Sequence, residues 1–306
     1  MPHSLHHITA IAGDPQQNVD FYTGVLGMNL VKKTVNFDDP STYHLFYGDA
    51  EGNPGSILSF FADERMARGA PDNGQAVAVS LSIPTRSIDF WVDYLGDQPV
   101  DVVEPFERFG QTVIGLQDPD GLFLELISDP AADKKNGSYS LNIPAQHAIR
   151  GLHGVTLATD TIEATGQLLQ ESLGFEESDQ ENERTLFQSD ANLGASIELM
   201  DGTDLNGEAG KGTVHHIAFR AEDEEEQLRQ KSALSEIGYY LTEIEDRLYF
   251  QSFFFHEPGG ALLEFATDNP GFTVDEKPDE LGKKLCLPPN LEAKRSLIEA
   301  ELPKIN

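Results

Sequence analysis

Apolar and polar positions along the chain form short β-branched runs, with one amphipathic helical stretch after each leading run, and this pattern recurs four times. In the first unit Leu5-His6-His7-Ile8-Thr9-Ala10 predicts a strand and Gly13-Asp14-Pro15 a turn. The spacing of Val19, Phe21, Tyr22, Val25 and Leu26 then predicts a helix ending at Gly27, followed by strands around 28–36, 42–48 and 56–61. The second unit has a strand from Ala76 through Ile83, a helix opened by Pro84 and carrying Ile88, Phe90, Trp91 and Leu95, and strands near 99–104, 111–116 and 122–128. The third starts at Gly151, and its helix ends at Leu173-Gly174-Phe175, an echo of Leu26-Gly27-Met28. The fourth starts at Val214, with a helix over 224–237 and strands from about 241 to 266. Each unit reads β-α-β-β-β, so the expected fold class is α+β, four βαβββ units paired into two domains. The expected boundaries are 1–130 for the N-terminal domain, 131–148 for a linker containing Pro, Gly and Lys, 149–270 for the C-terminal domain, and 271–306 for a tail. The tail carries a helix pattern over 290–302 and is expected to pack on the body or on a partner chain.

Two His pairs and one carboxylate break the apolar runs. His6-His7 and His215-His216 open the first strands of units one and four, and Glu264 is a carboxylate inside the apolar run Ala261-Leu262-Leu263-Glu264-Phe265-Ala266. An unpaired carboxylate is costly to bury, so Glu264 asks for a cation. Units two and three offer no such ligand in their first strands: His7 aligns with Gly154, and Val77-Ala78-Val79-Ser80 has no His. Two imidazoles and a carboxylate form a set that holds a divalent metal on one face and leaves the opposite positions open. The expected site is a mononuclear iron centre with His7, His216 and Glu264 as ligands, shared between the two halves of the chain. The second member of each His pair is taken as the ligand because it immediately precedes the apolar strand residue. Glu125 is the counterpart of Glu264 in unit two; without His partners it reads as a strand carboxylate paired with a neighbouring Arg or Lys.

Composition narrows the function. With 306 residues and 39% hydrophobic residues the chain can build two cores. It has 52 acidic against 21 basic residues and a net charge of −31, which argues against a nucleic-acid partner. The acids are spread along the chain, and this fits either a salt-tolerant host or an ordinary acidic cytosolic protein. No membrane span or signal segment is read, so no membrane partner is expected, and the single Cys286 points to a reducing cytoplasm. A homo-oligomer remains compatible with the sequence.

Several motifs together carry a resemblance: Leu5-His6-His7-Ile8-Thr9-Ala10-Ile11-Ala12, Tyr43-His44-Leu45-Phe46-Tyr47, Gln146-His147-Ala148-Ile149-Arg150-Gly151-Leu152-His153, His215-His216-Ile217-Ala218-Phe219 and Pro258-Gly259-Gly260-Ala261-Leu262-Leu263-Glu264. In this order, and over essentially the whole chain, the sequence resembles the vicinal oxygen chelate (glyoxalase/bleomycin resistance/extradiol dioxygenase) superfamily, and within it the hydroquinone ring-cleaving dioxygenases. The resemblance implies an Fe(II)-dependent dioxygenase, with Mn(II) as the other candidate metal, that opens a small aromatic diol with O2. It also implies that the second His of each pair is the ligand. His6 and His215 would then stand behind the ligands, with His215 handling protons. Arg247 sits where the relatives carry an active-site Arg, able to bind an anionic substrate or oxygen species; the alternative is a surface Arg paired with one of many acids. Thr9 matches a position near the metal but reads equally as an ordinary strand Thr. Phe254 replaces a Tyr of the chlorohydroquinone enzymes, so Phe253, Phe254 and Phe255 are expected to form an apolar wall, with Tyr249 as a substitute hydroxyl. The rival readings are a catechol extradiol dioxygenase, a glyoxalase-type isomerase or lyase with Glu125 as a fourth ligand, and a non-catalytic small-molecule binding protein.

Overall fold

The computed structural model describes residues 4–137 and 140–306; residues 1–3, and 138–139 within the expected linker, lie outside the described residues. The first unit comprises β1 (Leu5–Ala12), α1 (Pro15–Val19), β2 (Asn29–Val35), β3 (Tyr43–Gly48) and β4 (Ile57–Ala62). The second comprises β5 (Gln75–Ile83), α2 (Ile88–Gly96), β6 (Val102–Arg108), β7 (Gln111–Gln117) and β8 (Phe123–Ser128). The third is β9 (Gly151–Thr159), α3 (Ile162–Glu171), β10 (Glu176–Glu181), β11 (Arg184–Gln188) and β12 (Ser196–Asp201). The fourth is β13 (Val214–Ala221), α4 (Glu224–Glu236), β14 (Glu245–Asp246), β15 (Gln251–His256) and β16 (Leu262–Thr267), and the tail ends in α5 (Arg295–Glu301). All four β-α-β-β-β units are therefore present. None of the helices among the described residues is long and apolar enough to cross a membrane.

Local chemistry explains the elements and the departures from expectation. Asp14 caps α1 by accepting the N–H groups of Gln16 and Gln17, and Pro15 opens the helix. The turn after it, Asp20–Val25, is a π-helix rather than the α-helix expected. The expected linker contains a short 3-10 turn, Ala132–Lys134. The helix expected over 290–302 shortens to α5, preceded by the 3-10 turn Glu292–Lys294.

The units assemble across the chain rather than along it. One eight-stranded sheet runs β14-β15-β16-β13-β1-β4-β3-β2 and joins units four and one; the other runs β10-β11-β12-β9-β5-β8-β7-β6 and joins units three and two. This pairing differs from one that follows chain order within 1–130 and within 149–270. The two leading strands meet antiparallel at the centre of each sheet, β1 on β13 and β5 on β9. A buried apolar core containing Trp91, Phe175, Leu199, Phe219 and Phe265 lies against the helices.

The tail packs on the body. Cys286 donates its N–H to the carbonyl of Lys33, and the Tyr43 hydroxyl donates to the Pro303 carbonyl. Lys32 is fully buried, with its ammonium 2.5 Å from both Asp275 and Glu276. A buried charge persists only with partners of this kind, so the pair fixes the tail to β2.

Both central strand pairs carry matched bulges. In β1, His7 follows Leu5 in the pairing with β13, which leaves His6 as the extra residue; in β13, His215 is extra between Val214 and His216. The second sheet repeats this at Val77 in β5 and His153 in β9. An extra residue interrupts strict alternation and can bring two consecutive side chains to one side of a strand. Each bulge immediately precedes the position from which a ligand can project.

Candidate active site

His7 from β1, His216 from β13 and Glu264 from β16 converge on the inner face of the first sheet, each at most 5% exposed. His7 Nε2 and His216 Nε2 lie 3.2 Å apart, and Glu264 Oε2 is 3.1 Å from the first and 3.2 Å from the second. These three atoms form a nearly equilateral triangle. A divalent ion held at about 2.1 Å with neighbouring ligands at right angles separates its donors by about 3 Å, so the triangle is one face of an octahedral site. Glu264 Oε2 is buried and lacks a hydrogen-bond donor in proper geometry. Burial raises the Glu264 carboxyl's pKa, but the two facing imidazoles more than offset it and hold the carboxylate ionised. A negative, preassembled triad of this kind fits a cation.

Behind each ligand stands its chain neighbour. His7 Nδ1 is 2.9 Å from His6 Nδ1, and His216 Nδ1 is 2.8 Å from His215 Nδ1. An imidazole that turns Nε2 to a metal carries its proton on Nδ1, so each ligand donates to its neighbour, which must accept in neutral form. Burial, and then the adjacent His7, push the His6 pKa down to about 3, in keeping with that role. His215 is more open to solvent, yet its pKa is also lowered, by the protein around its ring and by His216. The bulges make these pairs, and it was the paired His motif that made them visible in the sequence.

The triad opens into a cavity of about 510 Å³ whose walls include Phe37, Phe46, Phe61, Phe250 and Phe254. His215, Arg247, Tyr249 and Phe254 also line it. Arg247 lines the cavity and is paired at its mouth with Asp38 at 3.1 Å and Glu245 at 2.6 Å. Tyr249 donates its hydroxyl to Asp275, and burial raises its pKa. Thr9 does not line the cavity; it is fully buried, with its hydroxyl 2.8 Å from that of Ser59. The wall expected from Phe253, Phe254 and Phe255 reduces to Phe254, set edge-on to His216, because alternate strand residues face opposite ways. Phe253 and Phe255 stack on Phe265 in the core. The reading of functional residues missed His44, which lines the cavity between Phe46 and Phe61, although its run Tyr43-His44-Leu45-Phe46-Tyr47 is one of the motifs that carry the resemblance.

The second sheet shows the same framework without the two ligand imidazoles. Glu125 pairs with Ser80 as Glu264 pairs with Ala218, while Gly154 and Ala78 stand where His7 and His216 stand. A Cβ at Gly154 would collide with the Ser196 carbonyl, so no ligand side chain fits there. Arg108 fills the space: its guanidinium clasps Glu125 at 2.8 and 2.6 Å and reaches Glu198 at 3.0 Å. The cationic partner expected for Glu125 is thus Arg108. Glu125 is tied into the second sheet and does not join the triad.

The model of the Glyoxalase/Bleomycin resistance protein/Dioxygenase superfamily matches residues 4–126 and 151–265. The chain belongs to this superfamily. Among its relatives within the superfamily is a Bacillus subtilis protein named ring-cleaving dioxygenase MhqO, 40% identical over 298 residues, or 97% of this chain and 95% of the relative. The chlorohydroquinone/hydroquinone 1,2-dioxygenase of Sphingobium indicum is 32% identical over 299 residues, covering 94% and 92% of the two chains. A crystal structure of a Bacillus subtilis protein named as a dioxygenase superposes with a TM-score of 0.93 at 39% identity, over 99% of this chain and 97% of the other. These likenesses make the chain an enzyme of the dioxygenase class of the superfamily. The superfamily's paired units are the two eight-stranded sheets described above.

Proposed function

We propose that this protein opens a hydroquinone-type aromatic ring with O2, using Fe(II) held by His7, His216 and Glu264, with Mn(II) as the other candidate metal. The observation that carries this reading is the 3.1–3.2 Å donor triangle at the base of an aromatic-walled cavity. When bound, the metal supplies one centre at which a substrate oxygen and O2 are held side by side. The protein's own groups do the rest. Phe254 and its neighbours present ring faces and edges to a flat substrate and keep water away from it. His215 accepts from His216 at Nδ1 and so carries its own proton on Nε2, where it can give that proton to an oxygen of the reacting ring and recover one from a substrate hydroxyl. Arg247, pinned by Asp38 and Glu245, orders the mouth of the cavity. A reducing cytoplasm, consistent with the single free Cys286, keeps iron ferrous.

The relatives' names support hydroquinone over catechol as substrate. The engagement of Glu125 by Arg108 removes the fourth ligand that a glyoxalase-type isomerase would need. The test is anaerobic reconstitution with Fe(II), then oxygen uptake with methylhydroquinone and with catechol, beside Glu264→Gln. Uptake with the hydroquinone is expected, together with a loss of more than about a hundredfold in metal affinity and in uptake for the variant. One bound metal per chain with no uptake from either ring would overturn the proposal and favour an isomerase or a binding protein.

A further inference from the structure

Most polar groups that face the cavity away from the triad are already engaged. Asp38 and Glu245 hold Arg247, Tyr249 donates to Asp275, and the Thr242 hydroxyl joins the Glu243 carbonyl and the Phe254 N–H. Two neighbours are not. Thr34 on β2 and His44 on β3 are paired across the two strands and so present their side chains side by side. Thr34 is 1% exposed and lines the cavity; its hydroxyl is close enough to the Tyr249 phenol to influence it, but no donor–acceptor pair at Thr34 Oγ1 meets hydrogen-bond geometry. A buried hydroxyl without a partner is costly and marks a place where a ligand atom completes the set.

His44 complements it. Its Nε2 lies 3.1 Å from the Ser59 hydroxyl, which is itself 2.8 Å from that of Thr9, so one side of the ring is held by a short chain of hydroxyls. Phe46 and Phe61 fix the ring plane, with centroids at 3.9 and 4.4 Å. Nδ1 has no hydrogen-bond partner among the described residues, and His44 lines the cavity. Thr34 and His44 are therefore a polar island in a wall that is otherwise aromatic.

Position in the sheet decides what such an island meets. The ligands come from the contiguous strands β16, β13 and β1, whereas β3 and β2 are second and third beyond β1. At about 4.8 Å between strands, β3 lies about 10 Å from β1 across the sheet, so the pair faces the far end of a ring whose near oxygen is at the triad. A 1,2-diol has both oxygens on adjacent carbons at the triad end. A 1,4-diol has its second oxygen on the opposite carbon.

Resting on the ring-opening reading above, we propose that Thr34 Oγ1 and His44 Nδ1 bind the hydroxyl of a 1,4-diol remote from the triad and thereby select hydroquinones over catechols. The experiment uses the Fe(II)-loaded protein and the variants Thr34→Val, which keeps shape and removes the hydroxyl, and His44→Gln, which keeps a polar group but shifts it. KM and kcat are measured with methylhydroquinone, and inhibition constants with 4-methylphenol, which has no distant hydroxyl; metal content serves as the control. Each variant is expected to raise KM for the hydroquinone about tenfold or more, as loss of one buried hydrogen bond does, while metal content and the inhibition constant for 4-methylphenol stay within about twofold. An unchanged KM, or an equal loss for the hydroquinone and 4-methylphenol, would overturn the inference while leaving ring opening intact. Wild-type protein that opens no hydroquinone overturns the underlying reading itself. In that case direct calorimetric binding of hydroquinone and 4-methylphenol under argon still tests the island: a wild-type preference for hydroquinone that the variants lose supports it, and equal binding of both overturns it.

Discussion

Arg108, Glu125 and Glu198 are each no more than 9% exposed, and the two carboxylates share one guanidinium. Removing one partner from such a group leaves charge buried without compensation, so Arg108→Met is expected to lower unfolding free energy by about 3–5 kcal/mol in denaturant titrations. The pH response should reverse as well. In the native protein Arg108 outweighs burial and holds the Glu125 pKa below its usual value, so this pair's contribution is present above the unfolded pKa and lost as pH falls through the lowered one. Without Arg108, burial and mutual repulsion raise the carboxyl pKa values above their unfolded values, and the variant should gain stability as pH falls from neutrality toward 5. At this scale the sequence was informative where chemistry conflicts with a strand: Glu264, the His pairs and the cation required by Glu125 could all be read from residue type and repeat position. Thr9 could not, because a Thr in a strand gives no sign of whether its hydroxyl meets a cavity or another hydroxyl such as that of Ser59.

The elements were legible from periodicity, their irregularities less so. The predicted strands and helices are present near their expected limits, but β10, Glu176–Glu181, has no apolar residue, and the bulges at His6 and His215 leave no trace in composition because an extra residue alters pairing, not polarity. The π-helical turn after α1 also escaped, and three Phe in a row hide the strand alternation that buries Phe253 and Phe255 in the core and leaves Phe254 at the cavity. The bulge can be tested apart from its side chain. His6→Ala keeps the extra residue and removes only the imidazole behind His7, so metal affinity in chelator competition should fall by about tenfold to a hundredfold. Deleting His6 restores regular alternation and turns either His7 or its flanking residues off the site face, so stoichiometric binding should be lost altogether.

For the molecule as a whole, a net charge of −31 loads the compact state with self-repulsion that added ions screen. Denaturation midpoints are expected to rise steadily between low and molar sodium chloride, and a flat response would show that the acids are too dispersed to matter. The repeat revealed four units, and the absence of ligands from the middle two showed that the first and last must share the site. It did not reveal that the sheets pair the same way, since nothing in a repeat specifies which copies adjoin.

That nesting has a consequence for how the protein is made. β1 precedes its partner β13 and the strand carrying Glu264 by more than two hundred residues in the chain. The inner pair, units two and three, can close while synthesis continues; the outer pair must wait for the last unit. A growing chain that ends before β13 therefore holds one imidazole of the triad and nothing more, and one that ends before β16 still lacks the carboxylate. Completion of the triad is thus tied to synthesis of the fourth unit.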